Sequence, residues 1–301
     1  PFVLIVAYGE PHFPHKTAPE KFKALYPPDK ILLPPNVPPA MWAKAREEAQ
    51  GYYAHCTALD ECIGDLLDTL AETGLATNTI VVFTSDHGEM LGSQGVAPTQ
   101  KQVVWSESAH VPFLLRVPEL GGRTVMMPIT TPDVLPTLLG LTGAAIPKTI
   151  EGDDLSPLLL SGHDADRAAL YMSVSPFTRG VPSDKSREYR AIRISRYTYA
   201  RSLEGPWLLF DDSKDSFQTN NLVGRPEYAE LTKQLDARLQ AELKRIGDDF
   251  RPGKDYLAEW GYTVAPHGSV PFAAERGVVQ TPRRNSAAKS ASPQTNSPKN
   301  P

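Results

Sequence analysis

The sequence predicts an α/β protein: a mostly parallel sheet flanked by helices, then a small α+β subdomain with an antiparallel sheet and one C-terminal helix. Three observations carry this. The run Ile80-Val81-Val82-Phe83 is apolar and β-branched, then breaks into Thr84-Ser85-Asp86-His87-Gly88-Glu89. A strand-length run without a polar face reads as a buried strand of a parallel sheet. The run Phe2 to Ala7 repeats the pattern and breaks into Tyr8-Gly9-Glu10-Pro11-His12. After about residue 165, four short alternating runs precede one helix with leucine at every fourth position.

Each element has its own signal. Residues 2–8 and 80–83 are the two core strands, and unpaired they would present an apolar sheet edge. Between them, residues 16–40 hold Pro27-Pro28, Pro34-Pro35 and Pro38-Pro39, a stiff connection rather than an element. Residues 41–74 form the clearest helix, with Tyr52, Cys56, Leu59, Ile63, Leu66, Leu67 and Leu70 as its apolar stripe and Gly74 at its C-terminal cap. Residues 95–110 read as a loop with a short helix, and Val111 to Val117 as another core strand. Residues 131–140 read as a helix, with Thr131 as N-cap, Pro132 in the first turn and Gly140 near the end. A short helix follows at Leu155 to Leu160.

The later runs Leu170–Val174, Tyr189–Arg193, Tyr197–Arg201 and Trp207–Phe210 alternate, which predicts an antiparallel sheet with one solvated face. Residues 226–246 form an amphipathic helix through Leu231, Leu235, Leu239 and Leu243. The expected division is 1–165, 166–250, and an extended, largely disordered tail over 251–301, whose last stretch is rich in Pro, Ser, Asn and Ala.

Composition excludes some classes. The 301 residues carry a formal charge of −4. No basic stripe interrupts the folded part, so nucleic acid is not an expected partner. No segment has the length and apolarity of a membrane span. The 29 prolines are about twice the average usage of roughly 5% and predict long, rigid connections. Cys56 and Cys62 lie six apart on one helix, a spacing that fits neither a CxxC pair nor a zinc site. The chain opens on Pro1 and a core strand rather than on Met, so the expectation is that an upstream segment precedes it.

In an open α/β sheet, ligands bind beyond the carboxyl ends of the strands. Asp86 and His87 stand there, and a carboxylate beside an imidazole suits a metal ion. The same residues also suit a helix N-cap followed by a loop histidine. His12 is either a second site residue or a loop histidine fixed by prolines. Lys101 is either a cleft residue or a solvated charge.

The order of these pieces resembles the sulfatase family of the alkaline phosphatase superfamily. The resemblance rests on YGEPHFP (8–14), GYYAHCTALDECIGDLLDTL (51–70), NTIVVFTSDHGEMLGSQG (78–95), KQVVWSESAHVPFLLRVP (101–118) and PDVLPTLLGLTG (132–143). EGDDLSPLL (151–159), REYRAIRISRYTYAR (187–201) and LLFDDSKDSFQTNNL (208–222) extend it. The strand-SDHGE segment and the spacing Lys101…Glu107-Ser108…Val111-Pro112 are its most specific parts.

The resemblance implies an alkaline phosphatase-like fold and a metal-dependent sulfuric ester hydrolase. Asp86 and His87 correspond to two ligands of one divalent cation, calcium first. Many members have Asn in place of His87, which keeps Mg²⁺ or Mn²⁺ open. Lys101 corresponds to the lysine on the sulfate oxygens. His12 corresponds to the histidine at the bridging oxygen, bonding sulfate or protonating the leaving alcohol. The substrate would be a small-molecule or carbohydrate sulfate ester. The family's habit implies export, to the periplasm or outside the cell.

There are departures. The family nucleophile is a formylglycine from a C/S-x-P-S/A-R motif, and neither Cys56 nor Cys62 is followed by such a sequence. The Asp-Asp pair after the family's first strand is also absent. Both are expected upstream of residue 1. His110 stands where members commonly carry Arg or Lys. Two alternatives stay open: a phosphonate or phosphate monoester hydrolase on the same scaffold, and a truncated, catalytically inactive paralogue.

Overall fold

The structure, a computed structural model, describes residues 1–118, 120–174, 185, 187–265 and 270. Helix α1, Trp42–Glu72, matches the predicted helix to within two residues at each end. Gly74 at φ +72° terminates it, with Leu75 N–H donating to Leu70 O and Gly74 N–H to Ala71 O. This is the Schellman arrangement that glycine permits.

The first half of α1 packs through small residues, and Ala45, Ala49 and Ala54 are buried. Gly51 lies so close to the 12–17 segment that a Cβ there would stand 2.2 Å from His15 O. The predicted leucine stripe is only half covered: Leu66 and Leu67 remain 38% and 37% exposed. None of the seven stripe residues is among the buried residues of the helix, because burial depends on what packs against it and not on periodicity alone.

Strand β1, Val81–Thr84, pairs antiparallel with β2, Phe113–Arg116, placing Val82 opposite Leu115. The parallel pairing expected for these runs is not formed among the described residues. Residues 2–8 form no strand, and Val3 and Ile5 are 90% and 85% exposed. An apolar run becomes a strand only when a neighbour satisfies its backbone groups, and no described strand lies beside this one.

Helix α2, Thr131–Thr142, begins one residue earlier than expected. Thr130 is the N-cap, its N–H donating to Asp133 Oδ2 at 2.9 Å. Gly143, at φ +68°, ends the helix. Gly140 serves close approach instead, since a Cβ there would lie 2.3 Å from Ser156 Oγ in helix α3, Ser156–Ser161.

Strands β3 (Ala169–Ser173), β4 (Tyr189–Arg193), β5 (Tyr197–Ser202) and β6 (Gly205–Asp211) form an antiparallel meander in sequence order. The four predicted runs are all present. The prediction of a solvated face is corrected, because both faces are covered. Ile192, Tyr199 and Leu209 meet Leu235, Leu239 and Leu243 of helix α4, Ala229–Ile246. On the opposite face Tyr189, Ala191, Ala200 and Phe210 meet Met90, Val96, Val103, Val104 and Trp105. Alternation looked amphipathic because small and aromatic residues share the second face. The sheet is thus a wall between α4 and the segment carrying Lys101.

Helix α5, Gly253–Trp260, replaces the extended chain expected after residue 250. Its eight residues were too few to show a period, yet Tyr256 and Leu257 are buried. The low-complexity stretch 281–301 lies outside the described residues. Among the described residues, no helix is long and apolar enough to cross a membrane.

A pH effect follows from the end of β6. Arg196 forks onto Asp211, with Nε to Oδ1 at 3.0 Å and Nη2 to Oδ2 at 2.6 Å. These bonds, aided by Ser213, hold the Asp211 carboxyl down at about 2 against an ordinary 3.8. A depressed carboxyl adds stability above its unfolded value and loses it as pH falls through the folded one. Urea midpoints should therefore drop between pH 3.8 and about 2, and Asp211→Asn should flatten that slope. Equal slopes in the two proteins would sink the assignment.

Candidate functional site

His12 lies in a turn closed by its own N–H on Gly9 O at 3.2 Å. Its Nδ1–H donates to Phe13 O at 2.8 Å, leaving Nε2 as an acceptor. That acceptor receives a hydrogen bond from Lys101 Nζ at 2.5 Å. The ammonium also lies 4.8 Å from the centroid of the Phe13 ring. The His12 and His87 rings sit 5.8 Å apart, edge to face.

The second loop is equally ordered. His87 Nδ1–H donates to Gly88 O at 2.8 Å, so its Nε2 is the nitrogen left free to ligate. That nitrogen is 3.5 Å from Asp86 Oδ2. The Asp86 carboxylate is exposed and accepts His87 N–H at 2.9 Å. Gly88 N–H donates to Ser108 O at 2.8 Å, tying this loop to the turn before β2. The backbones then run together, with Met90 N–H on Gln100 O and Leu91 N–H on Pro98 O, both at 3.1 Å. These bonds bring Lys101 back beside the Asp86–Glu89 loop.

The structure brings the four candidate residues together: Lys101 bonds His12, and His12 faces His87 beside Asp86. Convergence does not need the parallel sheet that suggested it. The 86–91 and 98–101 segments meet through their own backbone bonds, and the β3–β6 wall supports them from behind. Tyr171 O–H donates to Val104 O at 3.1 Å, and Arg193 Nη1 to Ser106 Oγ at 2.7 Å.

Behind this pair lies a buried polar group that sequence reasoning missed. His15 is 1% exposed, with Nδ1 on Glu48 Oε2 of α1 at 2.8 Å. Its Nε2 is 3.9 Å from Glu89 Oε2, which is also 3.9 Å from Lys101 Nζ. Burial drives the Glu89 carboxyl up to about 7, with the Lys101 charge opposing the rise. Burial also lowers His15 below its usual 6.5, against the pull of Glu48. For Glu48, burial pushes upward, but bonds from Lys44 and His15 win and hold it below the carboxylate norm. The available signals were spacing alone: Glu89 follows Asp86 by three residues, and His15 follows His12 by three within Pro-His-Phe-Pro-His.

Asp86 and His87 present two adjacent donors, one oxygen and one nitrogen, of the kinds a divalent cation takes. Among the described residues, no group of three or more His, Cys, Asp or Glu is placed to hold a metal. Cys56 is half-buried, Cys62 is exposed, and both are free thiols on α1.

The profile of the Sulfatase family matches residues 1–144. That of the C-terminal region of N-sulphoglucosamine sulphohydrolase matches residues 98–245. An ulvan-active sulfatase of Formosa agariphila is 49% identical over 94% of this chain and 56% of its own length. An endo-4-O-sulfatase of Bacteroides thetaiotaomicron is 34% identical over 82% of this chain and 52% of its own. A solved structure titled for the metabolism of multiple glycosaminoglycans by Bacteroides thetaiotaomicron superposes with a TM-score of 0.68 at 31% identity. That match covers 83% of this chain and 55% of the other. The chain spans about half the length of the curated relatives it matches.

Proposed function

Because the chain belongs to the sulfatase family, with a partial alkaline phosphatase-like fold, we propose that it contributes the sulfate-binding half of a sulfuric ester hydrolase site acting on a sulfated carbohydrate. The observation that carries the reading is the contact between Lys101 Nζ and His12 Nε2 at 2.5 Å. A cation and an imidazole held that close become a donor pair for one tetrahedral anion once Nε2 also carries a proton. The carbohydrate class is inferred from relatives whose names specify ulvan and 4-O-sulfate.

In this reading Lys101 donates to a non-bridging sulfate oxygen, where transition-state charge is greatest. His12 acts from its imidazolium form: Nδ1–H stays on Phe13 O, and the second proton, on Nε2, passes to the departing alkoxide and leaves the ring neutral. Its Nδ1–H bond to Phe13 O keeps the ring aimed during that transfer. Asp86 and His87 would hold one divalent cation, calcium first and Mg²⁺ or Mn²⁺ as alternatives. Such an ion supplies Lewis-acid charge to the sulfate oxygens. The nucleophile is assigned to neither cysteine, and a formylglycine would come from outside these 301 residues. We assign residues 1–165 to the catalytic part and 166–250 to the wall that supports it.

The reading is tested by titrating inorganic sulfate against the His12 ring proton signals. The wild-type signals should move, and Lys101→Ala should weaken the apparent affinity by about tenfold, the loss of one charged hydrogen bond. Hydrolysis is tested by incubating a full-length protein, one that carries the nucleophile together with these residues, with sulfated oligosaccharide and with an aryl phosphonate. Release of phosphonate product without sulfate would replace the sulfatase reading.

A further inference from the structure

We propose that Glu89 is a positioning residue for Lys101, fixing the ammonium in the attitude that receives an ester sulfate. The proposal rests on the reading of Lys101 given above and adds to it the group that aims the lysine.

The argument begins with burial. The Glu89 side chain is 4% exposed, and a carboxylate is rarely enclosed without a counter-charge. Its Oε1 is buried and makes no hydrogen bond. Its Oε2 stands 3.9 Å from Lys101 Nζ. That separation is too long for a hydrogen bond and close enough for strong attraction between charges. The distance matters functionally. A direct bond would consume one of the lysine's three protons, whereas attraction alone orients the ammonium and leaves its protons for His12 and for an anion.

Glu89 is itself held from the other side. His15 Nε2, also buried without a hydrogen bond, lies 3.9 Å from the same oxygen. His15 is locked to Glu48 at 2.8 Å, and Glu48 to Lys44 at 2.7 Å, both on α1. The backbone bonds from Met90 to Gln100 and from Leu91 to Pro98 set Glu89 and Lys101 side by side. The lysine is therefore steered by a chain of groups anchored on the longest helix.

A neighbouring negative charge has two opposite consequences for anion binding. As mere electrostatics, it repels sulfate, and its removal would tighten binding. As a positioning group it orients Lys101, and its removal weakens binding. The test is a sulfate titration of the whole chain, read from the His12 ring protons, for wild type, Glu89→Gln, Glu89→Asp and Lys101→Ala. The expected result is about tenfold weaker sulfate binding in Glu89→Gln, as displacement of an aligned group costs. Glu89→Asp, which keeps the charge, should recover part of the loss. Unchanged or tighter binding in Glu89→Gln, with a wild-type melting curve, overturns the proposal. If Glu89→Gln fails to fold, Glu89→Asp decides: affinity equal to wild type overturns the role, and weaker affinity supports it. If Lys101→Ala leaves the titration unchanged, the anion-site reading itself falls, and the role of Glu89 falls with it.

Discussion

Replacing Asp248 by Ala should destabilise the protein by about 3–5 kcal/mol, the cost of leaving a buried charge unpaired. Arg190 is the charge in question. It is 2% exposed, on β4, on the face turned toward α4 and α5. Its Nε donates to Asp248 Oδ2 at 2.5 Å and its Nη2 to Asp248 Oδ1 at 3.3 Å. Nη1 reaches the carbonyls of Ser173 and Tyr189, and Nη2 the Tyr256 hydroxyl. Phe250 stacks 4.5 Å from the guanidinium. Removing the carboxylate strands the cation, since the remaining acceptors are neutral. The control is the double variant Arg190→Met with Asp248→Ala. Its cost should fall well below the sum of the single changes, because both charges then leave together. Urea unfolding measures all three. A single Asp248→Ala within 1 kcal/mol of wild type would refute the account.

Gly88→Ala should be nearly as damaging, and its harm should reach the site. A Cβ at residue 88 would stand 1.9 Å from Glu107 O and 2.9 Å from Glu107 C. Both are backbone atoms, so no rotamer change relieves the clash. The 86–89 loop must move away from the turn before β2, breaking the bond from Gly88 N–H to Ser108 O. Overpacking of this kind costs about 1–3 kcal/mol and occasionally more. The loop carries His87 on one side of the glycine and Glu89 on the other. We therefore expect the His12 response to sulfate to be lost at temperatures where the variant is still folded. A variant that binds sulfate like wild type would show that the loop tolerates displacement.

These residues show where sequence reading succeeds. Asp86, His87, His12 and Lys101 were each open to a bland reading on their own, and the family resemblance, carried by motifs in a fixed order, singled them out; the structure brings them together. Leu235, Leu239 and Leu243 were legible because a repeat of four residues projects from one face of a helix. Gly74 was legible as a helix stop because its αL conformation is local.

His15, Glu48 and Glu89 were not legible, although they back the same site. Each is an unremarkable residue type in its own segment, and their meeting depends on α1 pressing Gly51 against His15. Arg190 is similar. It sits in an alternating run as though solvated, and only Asp248, 58 residues later, explains its burial.

The sequence by itself determined most of the elements, which follow from local period, and through its motifs the resemblance that singles out the four residues proposed for sulfate and metal. The tertiary structure alone decided which faces are buried, that β1 and β2 run antiparallel, that the later sheet is covered on both sides, and which carboxylate stands behind Lys101. Those outcomes depend on contacts between distant segments, and no local pattern in the chain encodes them.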